Sequence, residues 1–249
     1  MIRSVVHPAT RALRRAHKQR SRRAWAIMGF VLILASILVA FGYFAQVGWV
    51  GLAEALVRTT YRLALSYGIA LIIGASVALL VGWSPLADYL FPVFDILQNI
   101  PSFALLPLFI YFFGTRDEMI ILFAVSSIVW PILFAVLTAI KSAHSDLNDA
   151  ATIFGARGFR RVTAYLAPLS FPAILTGSVV GIAIGWEAVI GAEIIANNSG
   201  FGAYIASAGV GGVTPGTIAG TLGILAIVFV LNRLIWAPLL AESAHHYSE

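Results

Sequence analysis

Long apolar segments dominate this chain and constrain its fold more than any other feature of the sequence. Six stretches each supply roughly the 20 apolar residues that a helix needs to cross a bilayer. Inside a membrane every backbone N–H and C=O must be paired within the protein, which leaves helices or closed barrels. The apolar residues are continuous rather than alternating with a period of two, so the sequence predicts helices. With 60% hydrophobic and only 11% charged residues, the composition is typical of a polytopic membrane protein.

The predicted spans are separated by short polar turns and leave no room for a second soluble domain. They cover residues 24–46, 61–82, 89–113, 119–140, 166–196 and 217–240. A mixed segment, 48–60, is predicted to lie at the outer membrane interface, and 197–216 to form a Gly-rich loop. The prediction is therefore one membrane domain, 24–242, flanked by a basic tail, 1–23, and a short tail, 243–249.

The positive charges orient these spans. Eight of them precede the first span: Arg3, Arg11, Arg14, Arg15, Lys18, Arg20, Arg22 and Arg23. Such a tail would also attract nucleic acid, but beside a transmembrane helix it indicates a cytoplasmic anchor in contact with membrane lipid, and no nucleic-acid partner is expected. The loop 141–165 carries four more basic residues, whereas 197–216 carries none. Both termini and the 141–165 loop are therefore predicted to be cytoplasmic.

The stretch 146–168 is the longest polar interruption between apolar segments. Its apolar positions recur at i, i+3, i+4 and i+7: Leu147, Ala150, Ala151 and Phe154. This period predicts a short amphipathic helix, with Asp146 as its N-cap. Such a helix between two membrane spans cannot bury its apolar face against its own chain alone, so it is expected to dock on another protein.

The spacing within this stretch resembles the EAA signature of bacterial ABC importer permeases. That signature reads EAA, a short gap, GA, eight residues, and then I-x-L-P. Here the same spacing joins Asp149-Ala150-Ala151, Gly155-Ala156, Tyr165 and Pro168. Aspartate stands in place of the glutamate, tyrosine in place of the isoleucine, and Ala167 in place of the leucine. These departures leave the identity of the docking partner open.

The resemblance extends over roughly residues 50–240. The stretches 97–114, 186–193 and 200–205 look like the nitrate/sulfonate/taurine branch of these permeases. The resemblance implies an all-α membrane protein of the type I ABC importer kind, with six transmembrane helices and a cytoplasmic coupling helix, about 146–160, between spans 4 and 5. It also implies a location in the bacterial cytoplasmic (inner) membrane.

The resemblance also implies partners. They are a cytoplasmic ABC ATPase dimer, a periplasmic or lipid-anchored substrate-binding protein, and a second permease copy, with a homodimer favoured over a heterodimer. ATP and Mg would be bound by the ATPase, and this chain is expected to bind no cofactor. The residues assigned to ATPase coupling are Leu147, Asp149, Ala150, Ala151, Phe154, Gly155, Ala156 and Arg157. The small ones would admit close approach and the apolar ones would anchor, whereas the arginines would pair with acids of the ATPase or with lipid headgroups.

Polar residues at membrane depth are costly and indicate function. The candidates for a translocation pathway are Asp95, Gln98, Asn99, Ser102, Trp186, Glu187 and Glu193. The first four form a stripe on the third span, which three prolines interrupt; a hydrogen-bonded seam between helices is the alternative. Glu193 is predicted near the outer end of the fifth span. Glu187 lies deeper and is predicted to pair with Arg62 or Arg58; which acid meets substrate stays open.

Glycines on the fifth span form a separate pattern. Ala173, Gly177, Gly181 and Gly185 repeat every four residues, a spacing that lets two helices pack closely. The stripe is therefore predicted to be structural.

An unpaired glutamate on the same span would repel an oxyanion, so either Glu187 is neutralised or the substrate is not a simple anion.

Several chemistries find no support in the sequence. There is no cysteine, no GxxxxGK[ST] phosphate loop and no HExxH metal motif, so no catalytic or metal-binding residue is assigned. An ion-gradient-driven carrier using the buried acids is the first rival to an importer subunit, but it leaves the spaced cytoplasmic motif unexplained. An intramembrane enzyme is a more remote rival.

Overall fold

A computed structural model describes Ile37 and residues 48–143, 145–196, 199–209 and 215–240. Every regular element in these residues is a helix. Both tails and, apart from Ile37, the predicted first span lie outside the described residues. The six-span count therefore stays a prediction.

Eight helices follow one another in the described residues. They are α1 (Trp49–Trp83), α2 (Ala87–Gln98), α3 (Ser102–Phe113), α4 (Asp117–Lys141), α5 (Ser145–Ile153), α6 (Phe159–Ala196), α7 (Phe201–Gly209) and α8 (Gly216–Leu240). Single π-helical turns interrupt α6 at Val162–Leu166 and α8 at Asn232–Trp236. Among the described residues, α1, α4, α6 and α8 are each long and apolar enough to cross a membrane. They match the second, fourth, fifth and sixth predicted spans.

The third predicted span is not one straight helix. It consists of α2 and α3, which meet at an angle of 85° and reach the length and hydropathy of a span only together. The break falls at 99–101, where Pro101 disfavours helical geometry at the preceding residue and cannot donate a backbone hydrogen bond. Pro92 and Pro107 were also expected to break this span, but they lie inside α2 and α3.

Two segments predicted to lie outside the spans contain helix. The predicted interfacial segment 48–60 is continuous with the second span, because α1 runs unbroken from Trp49 to Trp83. The predicted loop 197–216 contains α7, whose Phe201 is buried against Leu52 of α1 and Ala219 of α8. Burial of this apolar cluster explains why a Gly-rich segment adopts a helix here, since tertiary packing overrides weak intrinsic propensity.

The core is built around α4, which packs mainly against α6 and α1. Phe123, Ile128 and Ile132 are fully buried. A helix that is apolar on every side can be buried in this way because it has no face that requires water. α4 is therefore the centre of the protomer.

The predicted glycine stripe is the surface of α6 that faces α4. A Cβ added at Gly177 would stand 2.8 Å from the carbonyl oxygen of Pro131, and one at Gly181 would stand 3.1 Å from Ile128 Cγ2. Any side chain at Gly177 would meet backbone, which cannot rotate away. The structural role predicted for the stripe is confirmed, and α4 and α6 form a closely packed pair.

We expect Gly177→Ala to destabilise the protein, because one methyl group must push α6 away from α4. Overpacking of this kind costs about 1–3 kcal/mol. Thermal unfolding in detergent measures the effect. The matched control is Gly68→Ala, where nothing lies within 4 Å of the added Cβ. An equal loss of stability in both variants would show that close packing is not the reason for glycine at position 177.

Candidate functional site

A buried ionic cluster joins four helices at the end of the bundle that the charge pattern predicts to lie outside. We call Thr59, Arg62, Asp117, Glu193 and Ser199 the Arg62 cluster. Arg62 and Glu193 are almost completely buried, whereas Asp117 is half exposed. The cluster contains one positive and two negative side chains, so it can persist in an apolar bundle only through dense hydrogen bonding.

The Arg62 guanidinium uses both of its terminal nitrogens in this cluster. Nη1 donates to Glu193 Oε1 and to the carbonyl oxygen of Ser199, each at 2.6 Å. Nη2 donates to Asp117 Oδ1 at 2.7 Å and to Ser199 Oγ at 2.6 Å. A planar fork of fixed donors can satisfy several acceptors at once, which a lysine ammonium does less well. Arg62 thus joins the start of α4 to the end of α6 and to the turn before α7.

Glu193 fixes the α6–α7 turn from the other side. Its carboxylate accepts hydrogen bonds from Thr59 Oγ1 at 2.8 Å and from the backbone N–H of Gly202 at 2.9 Å. Gly200 has a φ of +99°, and a Cβ there would collide with the Glu193 carboxylate. The glycines of this turn therefore let the backbone close around one buried acid.

The pairing predicted for Glu187 is wrong. Arg62 pairs with Glu193, and Arg58 pairs with Glu54 one turn earlier on α1 at 2.8 Å. Glu187 is exposed and forms no ion pair with any described residue. The sequence held the correct signal, because Arg62 and Glu193 were both placed near the outer ends of their spans, and matching depth would have joined them.

An open pocket of about 500 Å³ adjoins the Arg62 cluster. Asp117 and Ser199 belong to both the pocket and the cluster. Tyr204 and Ser207 of α7 and the paired side chains Glu54 and Arg58 of α1 also line it. A molecule bound in this pocket would therefore contact α7 and the exposed edge of the cluster together.

The polar stripe on the third span is divided by the break between α2 and α3. Asp95 and Asn99 are exposed, and Gln98 donates to Asp95 Oδ1 at 2.8 Å. Ser102 is the first residue of α3, beyond the 85° bend, so the four side chains do not share one continuous helix face. Asp95 keeps an exposed carboxylate on the wall of the bundle.

Trp186, the remaining pathway candidate, lies in the interior of the protomer. It is buried in the core beside α4, and its indole N–H has no hydrogen-bond partner among the described residues. Together with Asn232 and Trp236 of α8 it lines a small cavity of about 90 Å³. Trp186 therefore does not share the exposed setting of Asp95 and Glu187.

At the opposite end of the bundle, α5 is a short helix between the two long helices α4 and α6. It ends at Ile153, earlier than the predicted limit near residue 160, and it begins at Ser145, so Asp146 lies in its first turn rather than at the N-cap. Gly155, with a φ of +76°, terminates it: Gly155 N–H donates to Thr152 O and Ala156 N–H to Ala151 O. This is the Schellman arrangement, in which a left-handed residue closes a helix.

Several large apolar side chains in and just after α5 are exposed. We call residues 145–159 the α5 segment. Ile153 and Phe154 are each 82% exposed, Phe159 is 72% exposed and Leu147 is 47% exposed. Leu147 and Phe154 were predicted from the helical period. Ile153 and Phe159 were missed because neither falls on that stripe, although two phenylalanines flanking a Gly-x-x-Gly turn were visible in the sequence.

A side-chain hydrogen bond connects the α5 segment to α6. Arg161 Nη2 at the start of α6 donates to Asn148 Oδ1 at 3.1 Å. Among the residues assigned to ATPase coupling, Ala156 is partly buried and Arg157 is exposed. Asp149 is also exposed, whereas Ala150 and Ala151 are partly buried. The segment therefore presents a small apolar surface with charges beside it.

No metal site emerges from the part of the chain that the structure describes. There, no three histidine, aspartate or glutamate side chains converge as ligands would. The arrangement offers a fixed ionic cluster, exposed acids on the bundle wall and an apolar projection from its end. These features suit the binding of a solute or another protein.

Comparison with known proteins places these features in a family. The family described as binding-protein-dependent transport system inner membrane component matches residues 70–236. The taurine transport system permease protein of Escherichia coli (strain K12) is 30% identical over 192 residues, which are 77% of this chain and 68% of that protein.

Two further relatives have comparable coverage. The nitrate import permease protein of Leptolyngbya laminosa is 26% identical over 74% of this chain and 67% of its own length. A bicarbonate transport system permease protein of Synechococcus elongatus is 28% identical over the same shares. The similarity thus extends beyond the 146–168 stretch to most of the described helices.

Proposed function

We propose, from the premise that this chain belongs to the family of binding-protein-dependent transport system inner membrane components, that it is the membrane subunit of an ATP-driven importer. In this proposal it has six membrane spans with both termini in the cytoplasm. It forms the translocation pathway with a second copy of itself. A cytoplasmic ABC ATPase supplies the energy, and a substrate-binding protein delivers the solute from outside.

The observation that carries the proposal is the exposed apolar surface of the α5 segment. Ile153, Phe154 and Phe159 project from the bundle between two spanning helices. The positive charges of the neighbouring loop argue for a cytoplasmic position, where a protein partner can cover all three side chains. Burial of each large apolar side chain contributes about 1.5–3 kcal/mol, so a groove on another protein would be a favourable partner. We assign this surface to the ATPase.

The ATPase contact would use the whole assigned segment. Leu147 and Phe154 act as anchors together with Ile153 and Phe159. The side chains between these anchors are small, so that the ATPase can approach the backbone closely: Ala150, Ala151, Gly155 and Ala156. The charged side chains of Asp149 and Arg157 flank the apolar anchors and would set orientation more than affinity.

The pathway would run along the exposed acids. Asp95 and Glu187 are exposed on the protomer, and both fall within predicted spans, where contact with lipid would be costly. A water-filled cavity between two copies removes that cost. Gln98, Asn99 and Ser102 would line the cavity with Asp95, whereas Trp186 and Glu193 would support its wall from within the protomer.

The substrate is proposed to be a small oxyanion or amino sulfonate. The relatives carry the names of taurine, nitrate and bicarbonate transport. The carboxylate of Glu187 would repel a simple anion, which favours a zwitterion such as taurine unless the second copy neutralises it. Competition by taurine, nitrate, bicarbonate and a short alkanesulfonate for ATP-driven uptake would rank these candidates.

Transport would proceed by alternating access. ATP binding closes the two ATPases and draws the two α5 segments together. Because α4 and α6 are closely packed and flank α5, they would tilt with it and open the cavity outward. ATP hydrolysis would return the cavity to the inward-facing state. This chain itself would break no covalent bond.

The proposal is tested by ATP hydrolysis in the reconstituted complex. The chain, a cognate ABC ATPase and the binding protein are placed in lipid nanodiscs. We expect the ATPase to co-purify with the chain and its hydrolysis to rise when loaded binding protein is added. An ATPase that neither associates nor responds would refute the importer assignment.

For the pathway, we expect Asp95→Asn to lower the maximal uptake rate by about tenfold without loss of assembly, because a charged hydrogen-bond partner is worth about 1.5–3 kcal/mol. Initial rates in proteoliposomes measure the effect. The control is Glu118→Gln, an exposed acid at the start of α4. Unchanged kinetics for Asp95→Asn would return Asp95 to a role in helix–helix hydrogen bonding.

A further inference from the structure

We propose that Arg62 is a positioning residue that mechanically links the outer pocket to the α5 segment. This inference rests on the proposed function, since it concerns how contact with a binding protein reaches the ATPase. Arg62 joins the outer ends of α4 and α6. The other ends of these same two helices flank α5.

The first step is the junction at the outer end. Asp117 is the first residue of α4, and Glu193 is three residues from the end of α6. Arg62 bonds both carboxylates at 2.6–2.7 Å. The two helices are therefore held together at this end by one buried cation rather than by apolar contact alone.

The second step is the pair of helices itself. Gly177 and Gly181 bring the α6 backbone against Pro131 and Ile128 of α4, so the pair resists sliding and splaying. With 25 residues, α4 spans about 37 Å at 1.5 Å per residue. A displacement imposed at its outer end would appear at the end next to α5.

The third step is the input. Ser199 accepts from Arg62 through its carbonyl and its hydroxyl oxygen, and it leads directly into α7. The pocket of about 500 Å³ is lined by Ser199 and Asp117 as well as by Tyr204 and Ser207 of α7. A protein surface that fills this pocket would press on α7 and on two acceptors of Arg62 at once.

Arginine suits this position because the link needs a branched connector. One guanidinium reaches four oxygen acceptors on three chain segments. If Arg62 served only to stabilise the fold by pairing with a buried acid, Glu193 alone would be a sufficient partner. The additional bonds to the half-exposed Asp117 and to Ser199 extend the buried pair to the surface, where a partner can act on it.

The decisive variant replaces both buried partners, Arg62→Met with Glu193→Met. It removes the polar link while leaving no unpaired buried charge, and methionine fills space of similar length. In nanodiscs with the ATPase, we expect basal hydrolysis to persist within about twofold and stimulation by binding protein to fall by about tenfold, a typical coupling between distant sites. The added probe is an equimolar mixture of taurine, nitrate, bicarbonate and a short alkanesulfonate with the binding protein.

A second variant covers the case in which the double substitution does not assemble. Asp117→Asn with Ser199→Ala leaves the buried Arg62–Glu193 pair and the bond to the Ser199 carbonyl intact. It removes the charge of Asp117 and the hydroxyl of Ser199, the two side-chain connections to the pocket. We expect stimulation at saturating binding protein to fall by about threefold, since only part of the link is lost. Saturation is needed because both residues line the pocket, so that a change in binding-protein affinity is measured separately. The control is Asp88→Asn, which removes the acid paired with Lys141 at the other end of α4 at 3.0 Å, and it should leave stimulation unchanged.

The outcomes separate the two proposals. Full stimulation in an assembled Arg62→Met/Glu193→Met complex overturns the link while the importer assignment stands. When that variant does not assemble, full stimulation in Asp117→Asn/Ser199→Ala overturns it. Equal losses in the Asp88→Asn control also overturn it, because any change to α4 would then suffice. A wild-type complex that binding protein does not stimulate refutes the proposed function itself.

Discussion

We expect Phe154→Asp to abolish ATPase association and ATP-driven uptake while the membrane helices stay folded, the largest effect that follows from the proposed function. Phe154 is 82% exposed and makes no contribution to the buried core. If it fills a pocket on the ATPase, placing a carboxylate there removes an anchor and buries a charge. Losses at such anchors are about 2 kcal/mol or more, at least about thirtyfold in affinity. Co-purification and uptake measure both consequences.

The matched control is Leu86→Asp. Leu86 is 55% exposed, lies at the turn between α1 and α2 and is predicted to be on the same side of the membrane. An aspartate at this position, just before α2, is favourable for the helix. Retained ATPase binding in Phe154→Asp, or equal loss in both variants, would contradict docking through the α5 segment.

Gly155 is a poor position for the same test. A glutamate there would place bulk and charge in the proposed contact with the ATPase. The φ of +76° means that any L-residue also strains the end of α5. Asparagine tolerates this conformation better than glutamate, so Gly155→Asn separates the loss of the small surface from the loss of the helix end. We expect weaker but measurable ATPase binding.

Glu193→Ala destabilises the whole membrane domain, and this is the second largest effect. The substitution removes the only fully buried carboxylate that pairs with Arg62, which leaves the guanidinium with Asp117 and Ser199, and it frees the backbone N–H of Gly202. Removing one partner of a buried pair costs about 3–5 kcal/mol. We expect a lower unfolding temperature in detergent and reduced yield. Arg62→Met with Glu193→Met should recover most of the loss, because no charge is left buried.

The comparison for this prediction is Glu54→Ala. Glu54 pairs with Arg58 at 2.8 Å, but both side chains are more than half exposed. Exposed pairs contribute about 0–1 kcal/mol, so stability should hardly change. Similar unfolding temperatures for Glu193→Ala and wild type would mean that water reaches the Arg62 cluster and supports it without the carboxylate.

Much of the helical framework could be predicted from the sequence because continuous apolar runs in a membrane have few alternatives. Four spans and the close-packed glycine stripe follow from period, length and residue size. The α5 helix was also predicted, but its end was not, since the positive φ of Gly155 is a property of the folded turn. The family was recognised from spacing that depends on no single residue.

Other features depend on tertiary contacts that no local pattern contains. The 85° break between α2 and α3 lies at one of three prolines, and nothing local distinguishes Pro101 from Pro92 and Pro107. Arg62 and Glu193 are 131 residues apart. Their pairing follows from the meeting of α1 and α6, which the sequence indicates only through the similar predicted depth of the two residues.

The importer assignment is tested most directly by solute accumulation in proteoliposomes that contain the chain with its ATPase and binding protein. The account predicts accumulation of a panel substrate only when ATP, ATPase and binding protein are all present, and none in Phe154→Asp. Accumulation by the chain alone, driven by an imposed ion gradient without ATP, would contradict the account. That result would identify the exposed acids Asp95 and Glu187 as ion-coupling groups of a secondary carrier.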